Sequence, residues 1–190
     1  MADLSTPLSG IEAGSEMLAP APFRRLLTLR GDAGAAGFLD AVQSAAGVTP
    51  PVEPNTVAVG EDCVCFWLGP DEWLLSAPAD RGAALEAALS DAFADDPWAA
   101  VVDVSHTLVG LTISGPHAKD VLARGCALDL DETRFPVSAC ARTLLAQAGV
   151  LLRRLDDAPS FEIWIRISYA DYVKAWLARA EASVLAASRQ

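Results

Sequence analysis

Hydrophobic and polar positions alternate most cleanly near the C-terminal end of the chain. Phe161, Ile163, Ile165 and Ile167 fall on one side of an extended backbone, and Glu162, Trp164, Arg166 and Ser168 on the other. This predicts a half-buried strand, with Asp156 to Ser160 as the turn before it. The period then changes. Tyr172, Val173, Trp176, Leu177 and Ala180 recur at steps of three and four, which predicts a helix with one apolar stripe. Ser168 and Asp171 have the S-x-x-D spacing of a capping box at its start.

Upstream, short apolar runs are punctuated by Gly, Pro and Asp. Phe23 to Arg30 is the first strand candidate. A short helix with Phe38, Leu39 and Val42 on one face follows, and Gly47 is placed to stop it. Pro50-Pro51 and Pro54 make a stiff connection. Thr56 to Val59, Cys63 to Leu68 and Glu72 to Ser76 then read as an antiparallel meander. Asp80 is a plausible N-cap for a helix through Leu85, Leu89 and Phe93, which Asp95-Asp96-Pro97 closes. The second half repeats this order. Val101 to Ser105 and Leu108 to Ile113 are strands, or one long bent strand. A helix follows Ser114-Gly115-Pro116 with Ala118, Val121 and Leu122 on one face and Gly125 as its stop. Thr143 to Ala146 and Val150 to Leu155 are the next strands. The expected fold is α+β: two similar strand-helix-strands-helix lobes with antiparallel sheets, packed as one compact unit, helices covering one face of each sheet. The expected division is a flexible arm over 1–22, a first lobe over 23–97 and a second over 98–190.

Composition refines this reading. Hydrophobic residues are 52% of the 190 residues and charged residues 21%, enough for a substantial core. The net charge of −11 repels phosphate backbones and counts against nucleic acid as a partner. The longest basic runs are the pairs Arg24-Arg25 and Arg153-Arg154. No window reaches the roughly 18 apolar residues of a membrane span. Met1 to Pro22 lacks the basic start and apolar run of a signal peptide, so the cytoplasm is the expected location. The four cysteines, Cys63, Cys65, Cys126 and Cys140, do not suggest a disulfide framework. On one strand, Cys63 and Cys65 would share a face about 7 Å apart, awkward for a disulfide. Buried apolar thiols are the expectation. There is no C-x-x-C, and His106 and His117 lack ligand spacing with the cysteines, so no metal site is assigned.

The search for reactive groups ends similarly. Ser105 and His106 are adjacent, but neighbours on a strand face opposite sides, and there is no G-x-S-x-G elbow. Structural or interface hydrogen bonds are the expected role of Asp103, Ser105 and His106; an enzyme using Asp103, His106 or Arg142 is the competing reading. Gly31-Asp32-Ala33-Gly34 and Ser114-Gly115-Pro116 match neither G-x-G-x-x-G nor a P-loop, and read as helix starts. The pairs Asp71-Glu72, Asp95-Asp96, Asp129-Asp131 and Asp156-Asp157 all sit at turns or helix boundaries. Trp67 and Trp73 lie in or beside strands and Trp176 on a helix; Trp164, on the polar side of its strand, is either a second-core residue or an interface anchor. No catalytic, cofactor-binding or metal-binding residue is assigned.

Several segments together are more telling. They are Gly69-Pro70-Asp71-Glu72-Trp73-Leu74-Leu75, Val101-Val102-Asp103-Val104-Ser105-His106, Leu111-Thr112-Ile113-Ser114-Gly115-Pro116-His117-Ala118 and Gly125-Cys126-Ala127-Leu128-Asp129-Leu130. Phe135-Pro136, Cys140 to Leu145 and Arg166 to Tyr172 join them. The set resembles the gamma-subunit family of heterotetrameric sarcosine oxidases, from about Phe23 to the last helix. More distantly, D-V-S-H followed by S-G-P-x-A resembles the N-terminal part of the glycine-cleavage T-protein, a folate-binding superfamily. The first resemblance implies a subunit without catalytic residues, partnered by alpha, beta and delta subunits. In that family sarcosine is oxidatively demethylated to glycine, with hydrogen peroxide formed and the methyl carbon passed to tetrahydrofolate. FAD and FMN, NAD, the folate-handling domain and zinc belong to the partner subunits. The second resemblance implies the alternative, a small stand-alone folate-binding protein. The K-G-C-Y-x-G-Q motif of one branch of that superfamily is met only by Gly125-Cys126, between Arg124 and Ala127-Leu128.

Overall fold

Two five-stranded antiparallel sheets, each with a pair of helices on one face, carry nearly all of the regular structure. The computed structural model describes Leu8, Ser15 and residues 17–188. In chain order the elements are β1 (Leu18–Pro20), β2 (Arg24–Arg30), α1 (Ala36–Ala46), β3 (Val57–Val59), β4 (Val64–Gly69), β5 (Glu72–Pro78), α2 (Gly82–Ala92) and β6 (Ala100–Asp103). They continue with β7 (Leu108–Ile113), α3 (Ala118–Ala123), β8 (Cys140–Leu145), β9 (Ala148–Arg154), β10 (Phe161–Arg166), a 3₁₀ turn over Ile167–Tyr169 and α4 (Ala170–Ser188). The chain divides into two units, Phe23–Ser105 and Met1–Pro22 with His106–Gln190.

The unit of residues 23–105 has the sheet order β3-β4-β5-β2-β6. Alternation along β2 and β5 sends Leu27, Leu29, Trp73, Leu75 and Ala77 to the helix side, where all are fully buried. Phe38 of α1 sits between Trp73 and Phe93, with ring centroids 5.1 and 5.3 Å away. Helix α1 ends at Gly47, whose φ of 70° is left-handed and whose N–H bonds the Gln43 carbonyl. The Trp73 indole N–H reaches the Pro51 carbonyl at 2.7 Å, fixing the proline-rich connection to the core.

The other unit has the order β1-β7-β10-β9-β8. Ile163 pairs with Leu111 on one side and Leu152 on the other, and all three point into a core closed by Val121 and Leu122 of α3 and Val173, Leu177 and Val184 of α4. Strand by strand the two sheets match: β2 with β7, β3 with β8, β4 with β9 and β5 with β10. The fifth strand of each comes from elsewhere in the chain. Strand β1 lies just upstream of β2 but pairs with β7, and β6 lies just upstream of β7 but pairs with β2.

That exchange corrects the expected division. Residues 98–105 belong with the first lobe, because Ala100 to Asp103 pair in register with Arg30 to Leu27. The pattern A-V-V-D says that a strand forms, not which sheet it joins. Of the expected arm over 1–22, Leu8, Met17 and Leu18 are buried in the core of the second unit and Leu18 to Pro20 pair with β7. Residues 1–7, 9–14 and 16 of that arm lie outside the described residues.

Four local expectations change as well. Asp80 is not the cap of α2. The helix starts after Arg81 with no side-chain cap, because Arg81 closes a turn on the Pro78 carbonyl and Gly82 lies directly under the Arg25 side chain. Strand β10 stops at Arg166: the Ile167 N–H bonds the Thr107 carbonyl and the chain turns into the 3₁₀ segment, leaving Ile167 exposed. Because that segment runs straight into α4, Ser168 does not act as an N-cap. Tyr172 also stands outside the buried stripe of α4.

Candidate functional site

The D-V-S-H segment sits at the end of β6, and its Asp103 and Ser105 side chains bond to their own sheet. The Asp103 carboxylate takes hydrogen bonds from the Ser105 hydroxyl, from the Ser105 N–H at 2.8 Å and from the Arg25 guanidinium. The buried Ser105 oxygen accepts the Leu26 N–H at 2.9 Å, and the Val104 N–H bonds the Leu26 carbonyl at 2.8 Å. Arg25 reaches Asp103 across Gly82, where a Cβ would lie 2.2 Å from the Arg25 Cγ. The constellation clamps β6 onto β2.

Its chemistry runs against catalysis. Burial works to raise the Asp103 pKa, but the Ser105 hydroxyl and N–H and the Arg25 charge outweigh it and hold the carboxyl below its ordinary range. A carboxylate so stabilised is a poor general base near neutral pH. The one proton of the Ser105 hydroxyl is donated to Asp103 and not to a histidine, so the serine has no activating base. His106 is exposed one residue on.

Other sequence candidates are scattered. Arg142 is exposed on β8, at the edge of its sheet. His117 bonds Asp120 at 3.2 Å across the first turn of α3. All four cysteines are free and buried, and burial raises the Cys63 thiol despite the Arg81 and Arg24 charges nearby, which disfavours a thiolate. Among the described residues no cluster of three or more His, Cys, Asp or Glu could hold a metal ion. The carboxylate pairs support turns and surface ion pairs. Asp96 accepts the Trp98 N–H, Asp129 the Asp131 N–H, and Asp131 the N–H and hydroxyl of Thr133. Asp71 and Glu72 both meet Arg30, and the carbonyls of Asp156 and Asp157 hold the buried Arg154. Asp32 accepts the Gly34 N–H and does not cap α1. Trp164 is 3% exposed although it lies on the sheet face away from the helices, so that face is also buried there.

The open concavity on the second unit was not anticipated. Arg124, Trp176, Arg179, Ala180 and Ser183 line a groove of about 260 Å³ between the end of α3 and the face of α4. The Trp176 ring packs against Gly125, where a Cβ would come within 2.5 Å of it and 3.0 Å of the Ala146 nitrogen. Gly125 is therefore needed for close approach. Helix α3 ends at Ala123 with Arg124 as its cap, directly before the expected stop at Gly125, which ends it without a left-handed φ. The sequence signal for the groove was the i, i+3, i+4, i+7 spacing of Trp176, Arg179, Ala180 and Ser183. An exposed tryptophan, Trp98 at 81%, was likewise overlooked; an aromatic directly after Asp95-Asp96-Pro97, outside any periodic run, was its signal.

Similar proteins give the site its context. The family model described as sarcosine oxidase, gamma subunit family, matches residues 30–183. A sarcosine oxidase subunit gamma from Corynebacterium sp. (strain P-1) is 36% identical over 169 residues, 88% of this chain and 81% of that protein. A chain of the heterotetrameric sarcosine oxidase from Corynebacterium sp. U-96 superposes with a TM-score of 0.84 at 31% identity, over 95% of this chain and 94% of that one. The aminomethyltransferase T of the glycine cleavage system from Bartonella henselae shares the fold, with a TM-score of 0.60 at 19% identity over 90% of this chain and 48% of that one.

Proposed function

The chain belongs to the sarcosine oxidase gamma subunit family, and from that premise we propose that it is a structural subunit, without catalytic residues of its own, of a heterotetrameric cytoplasmic enzyme. The assembly joins it to alpha, beta and delta subunits. It demethylates sarcosine oxidatively to glycine, forming hydrogen peroxide and methylene-tetrahydrofolate. FAD, FMN, NAD, tetrahydrofolate and zinc are held by the partners. Among the described residues no helix is long and apolar enough to cross a membrane.

The observation that carries this reading is the Arg25–Asp103–Ser105 clamp. The adjacent serine and histidine were the sequence's best offer of a nucleophile, and that serine closes a sheet. Its test is co-expression with the three partner chains. The expected outcome is a flavin-coloured complex containing all four chains, and a colourless, inactive protein when this chain is purified alone. Full assembly and activity without this chain would sink the reading. Micromolar binding of tetrahydrofolate by the isolated chain would replace it with a folate-binding one.

A further inference from the structure

Resting on the subunit reading, we propose that the groove of Arg124, Trp176 and Arg179 is the seat of an acidic side chain from a partner subunit, with an apolar neighbour of that residue lying on the indole. The cations argue first. In a chain of net charge −11, most described Lys and Arg side chains are engaged: Arg24, Arg25, Arg30, Arg81, Arg153, Arg154, Lys119 and Lys174 all bond protein groups. Arg124 and Arg179 bond none among the described residues, and both border the same hollow. Two unpaired guanidiniums bordering one groove make it electropositive, and a carboxylate seated there is favoured by charge-assisted hydrogen bonds.

The indole argues next. Trp176 is half-buried and braced by the backbone of Gly125, so it is ordered before any partner arrives and little side-chain entropy remains to be lost. Trp and Arg are the residues enriched where binding energy concentrates in protein interfaces. Size decides between a protein segment and a cofactor. At about 260 Å³ the groove is below the roughly 300–1,000 Å³ of pockets that bury a drug-sized ligand, and it suits one or two side chains.

The test uses the co-expressed four-chain complex. Dissociation of this chain on dilution is timed for wild type and for R124E/R179E, at low and high salt. The expected result is loss at least about thirtyfold faster in the variant, or no recovery of the complex, with the salt dependence of the wild type abolished. The isolated variant keeps its melting temperature within about 2 °C, so the loss is not unfolding. Arg179→Glu alone, at an exposed helix position, gives a smaller loss in the same direction. Unchanged dissociation and unchanged salt dependence in the double variant overturn the proposal while leaving the subunit reading intact. Failure of the wild-type chain to assemble at all removes the subunit reading, and the groove proposal falls with it.

Discussion

Built on one strand order, the two units of this chain differ in where they put charge. Residues 23–105 hold four arginines and no lysine against thirteen Asp and Glu, a net −9; residues 1–22 and 106–190 hold ten Lys and Arg against twelve, a net −2. Each arginine of the former is engaged: Arg24 with Ser76 and the Asp62 carbonyl, Arg25 with Asp103, Arg30 with Asp71 and Glu72, Arg81 with Asp62. In the latter, Arg124, Arg134, Arg166 and Arg179 have no side-chain partner among the described residues. Since the sheets match strand for strand, the fold did not require this difference. The electrostatic layer varies independently of the scaffold: in one unit cations stabilise the fold, in the other several are left available for something else.

The cores differ as well. One is organised around the Phe38–Trp73–Phe93 contacts and the other around aliphatic side chains such as Ile163, Leu177 and Val184. The largest expected effect follows from this. Trp73→Ala removes a fully buried indole, its tilted ring contact with Phe38 and its hydrogen bond to Pro51, and costs about 3–5 kcal/mol. Leu177→Ala, fully buried against the other sheet, costs about 2–5 kcal/mol, with the lower half expected because no aromatic contact or hydrogen bond is lost. Urea unfolding followed by far-UV circular dichroism measures both. An equal or smaller loss for Trp73→Ala breaks the contrast between the cores.

Each unit also has glycines under large side chains, among them Gly82 beneath Arg25 and Gly125 beneath Trp176. Gly125→Ala drives a methyl into a ring and toward a backbone nitrogen, and neither gives easily; about 1–3 kcal/mol is expected. At Gly82 a Cβ would meet the Cβ, Cγ and Nε of Arg25, the residue that holds Asp103, so Gly82→Ala displaces the clamp and should cost a similar amount, by thermal melting. Changed tryptophan emission in Gly125→Ala, from a displaced Trp176, sharpens the assignment.

Much of this scaffold was legible in the sequence. Period-two alternation marked Phe161 to Ile165, and Gly47 marked the end of α1. What stayed hidden was non-local. Nothing in Ala100 to Asp103 states that its partner is β2, and nothing in Leu18 to Pro20 states that its partner is β7. Ile167 kept the alternation but not the strand, because a single bond to the Thr107 carbonyl turns the chain there. Asp103 and Ser105 were legible as structural groups. Arg25, their third member, was not, lying 78 residues upstream of Asp103. The groove required α3 and α4 to be brought together, and Arg124 and Arg179 are far apart in sequence.

The acid limb of stability separates the units on a smaller scale. The Asp103 carboxyl is held below its ordinary range: burial opposes this, but the Ser105 hydrogen bonds and Arg25 prevail. The unfolded chain then binds that proton more readily. The stabilisation is complete above the ordinary carboxylate pKa of about 4 and is lost as pH falls through the lower folded value. Asp103→Asn should cost about 1–2 kcal/mol at pH 7, and its deficit against wild type should shrink below about pH 4. Asp131 is also lowered, chiefly by the Thr133 hydroxyl and N–H, but it is exposed. Asp131→Asn should change the acid limb in the same sense and less. Matching acid limbs in the two variants would break the distinction.

The smallest effect, set against a larger one at the clamp, tests the idea that gave the comparison its meaning. Arg25 is three-quarters buried and ion-paired, so Arg25→Ala strands the Asp103 carboxylate and leaves the β6 clamp half made. About 1–3 kcal/mol is expected, measured by urea unfolding at neutral pH. Arg179→Ala removes a side chain with no bonding partner among the described residues, and the isolated chain should change by no more than about 0.5 kcal/mol. The pair is informative because both truncate an arginine in sheet-and-helix units of one design. If Arg179→Ala costs the isolated chain as much as Arg25→Ala does, the cations of the second unit serve the fold after all. If it costs nothing alone yet loosens the assembled complex, position in the same scaffold has given one arginine an internal role and the other an external one.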